Sequence, residues 1–470
     1  MKELRGKMRL VCTLIVCMFI GMSAWYGYTV FSQGSVWASN PYNTRSNGTT
    51  AHMGDITDRD GNLLAHTAQD GTRQYLSNES GRRALSQTIG DQMGMSGTGV
   101  ENYYSSTLLN ISGSLLDRLR SAFSGEERVG SSIQLTIDAE LTAYIASIFP
   151  EGKRGAVCVI NYKTGEVLSW VSMPNYDPAD LLDGSYDGDG VEDTAFLNRC
   201  LQGLYTPGST FKIVTLASAL EADPDVLGRT FVCSGLWEYE GGDIVCAGDA
   251  VHGEVDLITA FAKSCNITFG KLAYQLGLER LQATAEKFGF NENFKFGDFM
   301  IYNSSFPTEV PNVGGLVWAG VGQGEVLVTP QHMAMIAGAV ANNGTMMKPV
   351  LVKRIENSMG VSTHTLESSV YRQVMEPAVA EVIAGAMQKA VESGTASRAA
   401  ISGYTVCGKT GSAETSDDKS VETNAWFTGF IRDERYPYAV SVVVEQGGAG
   451  STVATPIGRQ ALAKAMEIVG

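Results

Sequence analysis

The stretch Pro207-Gly208-Ser209-Thr210-Phe211-Lys212 opens an apolar run that continues to Leu220, and the interpretation of the whole chain starts from it. A serine at the start of a helix lies beside free backbone N–H groups and the positive end of the helix dipole, which favour a developing oxyanion. Lys212 follows three residues later and therefore lies on the same helix face. Burial would lower the pKa of that lysine and let it accept the serine proton. The pattern predicts Ser209 as a nucleophile and Lys212 as its base.

The Ser-x-x-Lys pattern alone is weak, because average composition gives about two in a chain of this length. A second one is present, Ser416-Asp417-Asp418-Lys419. It lies in an acidic polar stretch with no apolar helix behind it, so nothing there would desolvate a lysine. The alternative interpretation of the first pattern is an N-cap serine followed by a surface lysine. The apolar helix behind it favours Ser209.

A second motif, Ser264-Cys265-Asn266, lies between two helical stretches. Ser264 is predicted to pass a proton between the lysine and a leaving group. Asn266 is predicted to hold the lysine and a substrate amide. On its own a Ser-x-Asn is a common capping or loop feature, and its place after Ser209 is what favours the catalytic interpretation.

A third motif begins at Lys409, after a predicted strand over residues 404–407. The ammonium group of Lys409 and the hydroxyl of Thr410, placed on a strand edge, can bind a carboxylate. Gly411 lets the backbone lie close to a substrate. The N–H of Ser412, together with that of Ser209, is predicted to form an oxyanion hole.

A rival Lys163-Thr164-Gly165 precedes Ser209 in the chain and joins two predicted strands. A lysine, a threonine and a glycine suit a hairpin turn. This copy is therefore assigned a structural role.

Composition sets broad limits. The chain has 470 residues, of which 44% are apolar and 18% charged, so two or three globular domains are expected. The net charge of −15 argues against nucleic acid as a partner.

Eight cysteines and five histidines form no metal-binding spacing along the chain, so the sequence predicts neither a metal site nor another cofactor. Cys233 and Cys246 are the one candidate disulfide pair, because both lie in a Gly-rich polar stretch. The sequence leaves open whether they are bonded.

The N-terminal region predicts a membrane anchor. Four basic residues and one acidic residue occupy the first ten positions, and an apolar run follows from Leu10 to about Phe31. Its length of roughly 20 residues suits one transmembrane helix with a cytoplasmic N-terminus, and Trp25 and Tyr28 suit its far interface. The alternative is a cleaved signal peptide, with Val36-Trp37-Ala38 as the cleavage site.

The remaining patterns predict three parts: a cytoplasmic tail and anchor (1–33), a linker and pedestal domain (34–130) and a catalytic domain (131–470). A helical pattern covers 105–123 in the pedestal. The catalytic part begins with strands (156–162 and 166–171), continues with helices (211–220, 258–276 and 332–342), returns to strands (425–431 and 438–445) and ends with a helix (456–468). This order predicts an α/β (α+β) sandwich with an antiparallel sheet and a helical subdomain.

Together the three motifs resemble the known signature of penicillin-binding proteins and serine β-lactamases. The resemblance to this family rests on that signature. Residues 198–208 resemble the segment that precedes the nucleophilic serine in this family. Three later segments also resemble the family's sequence: 322–325, 342–345 and 425–430. The resemblance covers roughly 132–470 and implies the fold of a penicillin-binding transpeptidase domain.

The segment 54–61 resembles the start of class B, monofunctional members, although Met53 stands where that class usually has arginine. About 100 residues between anchor and catalytic part leave no room for a glycosyltransferase module. The short pedestal resembles the smaller class B type called penicillin-binding protein A.

The resemblance implies a peptidoglycan D,D-transpeptidase of cell wall synthesis. Ser209 would attack the penultimate D-Ala of a stem peptide, an amine would resolve the acyl-enzyme, and Lys409 with Thr410 would hold the terminal carboxylate. It also implies inhibition by β-lactam antibiotics, an extracytoplasmic catalytic domain on a single-pass anchor, and a membrane glycosyltransferase of the SEDS type as partner.

Three alternatives use the same residues. A β-lactamase is disfavoured because no Glu-x-x-Leu-Asn stretch lies between Ser264 and Lys409. A D,D-carboxypeptidase differs only in using water as acceptor. A non-catalytic β-lactam receptor or scaffold would bind without turnover. A histidine-based serine hydrolase is disfavoured because the chain has no Gly-x-Ser-x-Gly elbow.

Overall fold

The computed structural model describes residues 2–38, 52–109, 130–182, 192–240, 242–416, 418 and 420–469. Residues 110–129, which carry most of the helical pattern predicted over 105–123, lie outside these ranges.

The fold combines fifteen α-helices and seventeen strands within the described residues. The helices are α1 (Lys2–Ala38), α2 (Glu79–Ala84), α3 (Ser86–Ile89), α4 (Val100–Tyr103), α5 (Ser105–Leu108), α6 (Ala139–Ser147), α7 (Arg199–Gln202), α8 (Lys212–Ala222), α9 (Leu257–Ala262), α10 (Asn266–Leu276), α11 (Leu278–Lys287), α12 (Val313–Gly320), α13 (Pro330–Ala341), α14 (Pro377–Ser393) and α15 (Ala454–Ile468). The strands are β1 (Ile56–Thr57), β2 (Leu63–Thr67), β3 (Arg73–Tyr75), β4 (Ser132–Leu135), β5 (Gly155–Asn161), β6 (Val167–Met173), β7 (Thr230–Cys233), β8 (Leu236–Tyr239), β9 (Gly242–Val245), β10 (Gly253–Asp256), β11 (Thr345–Met347), β12 (Val352–Glu356), β13 (Ser362–Thr365), β14 (Val370–Gln373), β15 (Val406–Ala413), β16 (Asn424–Ile431) and β17 (Tyr438–Val444).

Helix α1 contains one segment, Gly6–Thr29, that is long and apolar enough to cross a membrane, with a mean hydropathy of 1.9. The side chains of its large apolar residues are exposed, among them Phe19 and Trp25. A helix of this kind suits a single-pass membrane protein.

A five-stranded antiparallel sheet with the order β15-β16-β17-β5-β6 forms the centre of the catalytic part. Its strands are buried along almost their whole length because helices cover both faces. Val157 and Val159 of β5 pack in one core with residues of α6 and α15, while Ala156 and Cys158 pack in the other core with residues of α13. The predicted α/β sandwich is confirmed, and β15 lies at its edge.

A second sheet has the order β13-β12-β4-β1-β2-β3. Strand β4 lies between β1, to which it is parallel, and the antiparallel β12. Ile56 of β1 is paired with Ile133 of β4, and both are fully buried. The sheet therefore contains strands from both sides of the division predicted between residues 130 and 131.

A buried ion pair joins the N-terminal hairpin to α4. Arg73 Nε donates to Glu101 Oε1 at 2.7 Å, and the hydroxyl of Tyr75 donates to the other oxygen of Glu101 at 2.7 Å. Arg73 also donates to the carbonyl of Gly54 at 3.0 Å. These bonds offset most of the cost of burying both charges, although Nη2 of Arg73 has no hydrogen-bond partner among the described residues.

The helical subdomain packs against the edge of the five-stranded sheet. In α8 every residue from Lys212 to Leu220 is buried. The helical pattern predicted over 258–276 forms two helices, α9 and α10, because Ser264 between them has φ 59° and interrupts the helix. The turn before α8, the break after α9 and the edge strand β15 meet at one place.

Candidate active site

The predicted nucleophile Ser209 lies in a 3₁₀ turn, Gly208–Phe211, that leads directly into α8. Gly208 has φ +53°, and a Cβ there would lie 3.1 Å from the carbonyl oxygen of Ser412 on β15. This close approach brings the serine turn against the edge strand. Ser209 itself is half-buried, and its Oγ makes no hydrogen bond with any residue that the structure describes.

Lys212 is fully buried, and its Nζ faces the second motif. Nζ donates to the carbonyl of Ser264 at 2.8 Å and to Oδ1 of Asn266 at 2.7 Å, and it lies 3.4 Å from Ser264 Oγ. The ring centroid of Phe269 lies 5.5 Å from Nζ. Burial lowers the pKa of Lys212 to about 7. A substantial fraction of the side chain is therefore neutral at neutral pH, as a general base requires.

The break at Ser264 directs three groups toward Lys212: the carbonyl and the hydroxyl of Ser264 and the side chain of Asn266. Asn266 is further fixed by its Nδ2, which donates to the carbonyl of Val245 at 2.8 Å. Sγ of Cys265 caps α10 by accepting from the N–H of Thr268 at 3.4 Å. The left-handed backbone of Ser264 is costly for a residue other than glycine and is held by these bonds on either side.

Lys409, from the third motif, reaches the same serine. Its Nζ donates to Ser264 Oγ at 2.9 Å and to the carbonyl of Thr410 at 2.9 Å. The side chain is fully buried. Burial, and secondly the positive charge of Lys212, lower the pKa of Lys409 well below its usual value. Two amines thus share one hydroxyl, and the charge of Lys212 disfavours the charged form of Lys409.

The remaining residues of the third motif lie along β15. Thr410 is buried and its Oγ1 lies 2.6 Å from Oγ1 of Thr395. A Cβ on Gly411 would lie 2.9 Å from the carbonyl oxygen of Pro207, so the strand passes close to the serine turn. Ser412 is exposed, and its Oγ accepts a hydrogen bond from the N–H of Gly450 at 3.1 Å.

The structure therefore brings the three motifs to one site, but one local prediction is wrong. The third motif was expected after a strand over 404–407, and it lies inside the strand Val406–Ala413. The strand continues because Lys409 to Ser412 pair with residues of β16, from Thr428 to Ala425.

The two rival motifs lie apart from this cluster of contacts. Residues 163–165 form the turn between β5 and β6, where Gly165 has φ +83° and its N–H donates to the carbonyl of Asn161 at 2.8 Å. Ser416 is in an exposed segment after β15, and Lys419 lies outside the described residues.

Sequence reasoning missed some residues that shape the site. Thr395 was not singled out, although it bonds Thr410, because it lies 15 positions earlier in a stretch without a motif. Phe261 and Phe269 were seen only as apolar helix positions. Their rings lie 5.5 Å from the Nζ atoms of Lys409 and Lys212, respectively. A cation–π contact of this kind leaves no signal in spacing.

The expectation that cysteines and histidines do not cluster is wrong in three dimensions. Cys233, Cys246, His252 and Cys265 come together, with their sulfur and nitrogen atoms within 4.8 Å of one another. All cysteines within the described residues are free thiols, and Sγ of Cys233 lies 3.6 Å from Sγ of Cys246, so the disulfide that the sequence left open is not formed in this structure.

Comparison with known proteins places this geometry in context. A family model for the penicillin-binding protein transpeptidase domain matches residues 155–463. The peptidoglycan D,D-transpeptidase PbpA of Mycolicibacterium smegmatis is 30% identical over 434 residues, which is 86% of this chain and 87% of that protein. The stage V sporulation protein D of Bacillus subtilis is 32% identical over 342 residues, 70% of this chain and 51% of that protein.

Among solved structures, a ceftriaxone acyl-enzyme complex of penicillin-binding protein A from M. tuberculosis superposes with a TM-score of 0.81. Its sequence is 28% identical, and the match covers 89% of this chain and 98% of that one.

Proposed function

Since this chain belongs to the penicillin-binding protein transpeptidase family, we propose that it is a peptidoglycan D,D-transpeptidase whose acylated residue is Ser209. The observation that carries the assignment is the convergence of three motifs on one hydroxyl. Ser264 Oγ accepts from Lys409 at 2.9 Å and lies 3.4 Å from Nζ of Lys212. Lys212 in turn lies one helical turn after Ser209.

Acylation begins when the Ser209 hydroxyl attacks the carbonyl carbon of the penultimate D-Ala. The hydroxyl proton passes to the neutral amine of Lys212, whose lowered pKa makes it a suitable base. Negative charge develops on the carbonyl oxygen. The N–H groups of Ser209 and Ser412 would bind it, and the close approach of the serine turn to β15 supports this pairing.

The C–N bond to the terminal D-Ala then breaks, and the leaving amine takes up a proton. Ser264 is suited to deliver it, because its hydroxyl lies between Lys212 and Lys409 and can receive a proton as it gives one. An amine of a neighbouring stem peptide attacks the acyl-enzyme and forms the cross-link. Ser209 recovers its proton in that step.

Lys409 and Thr410 would hold the terminal carboxylate of the donor peptide. A carboxylate near Lys409 favours its charged form and reverses the effect of burial and of Lys212 on its pKa. Substrate binding would therefore leave Lys409 charged and favour the neutral form of Lys212. β-Lactams carry a carboxylate at the corresponding place and would acylate the same serine.

The nucleophile can be tested with a fluorescent penicillin and three forms of the purified full chain: wild type, Ser209→Ala and Ser416→Ala. We expect a stable covalent adduct in wild type and Ser416→Ala and none in Ser209→Ala. An adduct that persists in Ser209→Ala would refute the assignment. Rapid loss of label from the wild type would favour a hydrolase, and product analysis with a stem-peptide donor and an amine acceptor separates transpeptidation from carboxypeptidation.

The three-part organisation is part of the proposal: residues 1–33 anchor the chain, 34–130 form a pedestal and 131–470 carry catalysis. Basic residues before the apolar segment of α1 support a cytoplasmic N-terminus and an active site on the other side of the membrane. This orientation can be tested with a reporter that is active only on one side of the membrane. The reporter is fused to the N-terminus in one variant and to the C-terminus in another. An active cytoplasmic reporter at the C-terminus would contradict it.

The partner proposed for the anchor is a membrane glycosyltransferase of the SEDS type, which would polymerise the strands that this protein cross-links. Support comes from the exposed apolar surface of α1, including Phe19 and Trp25. Copurification of the partner with the full chain, but not with a form that lacks residues 1–33, is the expected result. Equal recovery with both forms would refute a role for the anchor.

A further inference from the structure

Four potential metal ligands lie beside the second motif. Sγ of Cys246 lies 3.6 Å from Sγ of Cys233 and 3.8 Å from Sγ of Cys265. Nδ1 of His252 lies 3.3 Å from Cys233 Sγ and 3.7 Å from Cys246 Sγ. All four ligand atoms fit within 4.8 Å of one another.

These four distances match the edges of a tetrahedral metal site. With Zn–S bonds of about 2.3 Å and Zn–N bonds of about 2.0–2.1 Å, tetrahedral geometry separates two sulfurs by ~3.8 Å and a sulfur from a nitrogen by ~3.5 Å. A disulfide instead requires two sulfurs at about 2.05 Å and leaves the third thiol and the histidine unused. The arrangement of all four groups around one point therefore fits a metal better than it fits a disulfide.

The surroundings also suit bound thiolates. The three cysteines are buried, and His252 is partly buried. Cys265 Sγ accepts hydrogen bonds from the N–H and the hydroxyl of Thr268 at 3.4 and 3.3 Å. Hydrogen bonds to a ligand sulfur stabilise its thiolate form and orient it toward the metal.

We propose that Cys233, Cys246, His252 and Cys265 bind one Zn²⁺ ion in a closed Cys₃His site. Four protein ligands fill the tetrahedral coordination of zinc and leave no open position for a water or a substrate. The ion is therefore structural and takes no part in the acyl transfer.

The first three ligands belong to a small unit, residues 230–256, that has little apolar core of its own. It consists of two two-stranded sheets, β10-β7 and β8-β9. Several of its apolar side chains are exposed, including Val232, Leu236 and Val251. Small units of this kind gain stability from a metal in place of a large core.

The fourth ligand connects this unit to catalysis. Cys265 is flanked by Ser264 and Asn266, both of which bond Nζ of Lys212. Asn266 also donates to the carbonyl of Val245, the residue before Cys246. A metal that holds Cys246 and Cys265 together would fix the left-handed turn at Ser264.

The test is the metal content of the full chain purified in detergent under reducing conditions without chelators. We expect about one zinc per chain in wild type, and exchange for Co²⁺ should produce thiolate-to-cobalt charge-transfer absorption. Cys246→Ala and His252→Ala should lose the zinc. Cys158→Ala, which removes a buried thiol of β5 outside the cluster, is the matched control and should keep it.

A wild-type protein that is folded but free of metal would overturn the proposal, whether mass spectrometry finds a Cys233–Cys246 disulfide or four reactive thiols. If the ligand variants do not fold, the wild type can be treated with a chelator instead. Its melting temperature should then fall, and it should rise to its original value when Zn²⁺ is added back. An unchanged melting temperature after complete removal of the metal would contradict a structural role. Ser209→Ala should bind zinc fully, so this test is independent of the proposed nucleophile.

Discussion

Nζ of Lys409 donates a hydrogen bond to Oγ of Ser264 at 2.9 Å, which links the third motif directly to the second. Lys212 adds the first motif from the other side, with its Nζ 3.4 Å from the same oxygen. Both lysines are fully buried and both have lowered pKa values, chiefly through burial. The site thus holds two amines and one hydroxyl in a common proton network, without a histidine.

Lys212→Met should lower the second-order rate of penicillin acylation by about 10²- to 10⁴-fold, because removing a general base costs that much. Methionine keeps an unbranched apolar chain in the buried space, so the fold should be retained. The measurement is the rate of covalent labelling, with melting temperature as the check on folding. A folded variant that is labelled at the wild-type rate would exclude Lys212 as the base.

The rate of acylation of the wild type should rise with pH through about 7. Lysine accepts a proton only in its neutral form, and the pKa of Lys212 is lowered to about 7 by burial. The rate is therefore small below this pKa and levels off above it. Labelling rates between about pH 5 and about pH 9 test this, and the rise should be absent from the residual activity of Lys212→Met.

Ser264→Ala should slow acylation by about 10²-fold, because the hydroxyl that lies between the two lysines is lost. Ser441→Ala is a matched control: Ser441 is a fully buried serine of β17, and its Oγ has no hydrogen-bond partner among the described residues. It should be labelled at the wild-type rate. Equal rates for the two variants would show that the Ser264 hydroxyl is not part of the proton network.

Arg73→Met should lower the free energy of unfolding by about 3–5 kcal/mol, because it leaves the carboxylate of Glu101 buried without its cationic partner. Adding Glu101→Gln to this variant should recover part of the lost free energy of unfolding, because it removes the unpaired charge. Arg83→Met, which breaks the exposed pair of Arg83 with Glu79, should change stability by no more than about 0.5 kcal/mol. Urea unfolding followed by circular dichroism measures all three, and equal effects of Arg73→Met and Arg83→Met would contradict the expectation.

Much of the fold could be predicted because local signals agree with the final environment. Aspartate favours helix N-caps, and the side chain of Asp138 accepts from the N–H of Leu141 at the start of α6. The apolar runs of β5, β16 and β17 were expected to be strands and are buried on both faces. Here propensity, periodicity and burial all favour the same structure.

The details that escaped prediction depend on contacts between distant residues. The motif at Ser264 was expected between two helical stretches, but serine is not a residue that signals a left-handed turn, so the φ of 59° at Ser264 was not predicted. Thr395 reaches Thr410 only because the loop after α14 returns to β15. The four ligands of the cysteine–histidine cluster are separated by 13, 6 and 13 positions, and only the folded unit 230–256 brings them to Cys265.

The six-stranded sheet contains strands from both sides of the division between residues 130 and 131, and this has a practical consequence for preparing the protein. A truncated chain that starts at residue 131 would keep β4 but remove β1, its parallel neighbour. Strand β4 would then be a newly exposed sheet edge, with the apolar side chain of Ile133 uncovered. Such edges recruit strands from other molecules, so the truncated chain would aggregate where a chain that starts before β1 stays soluble.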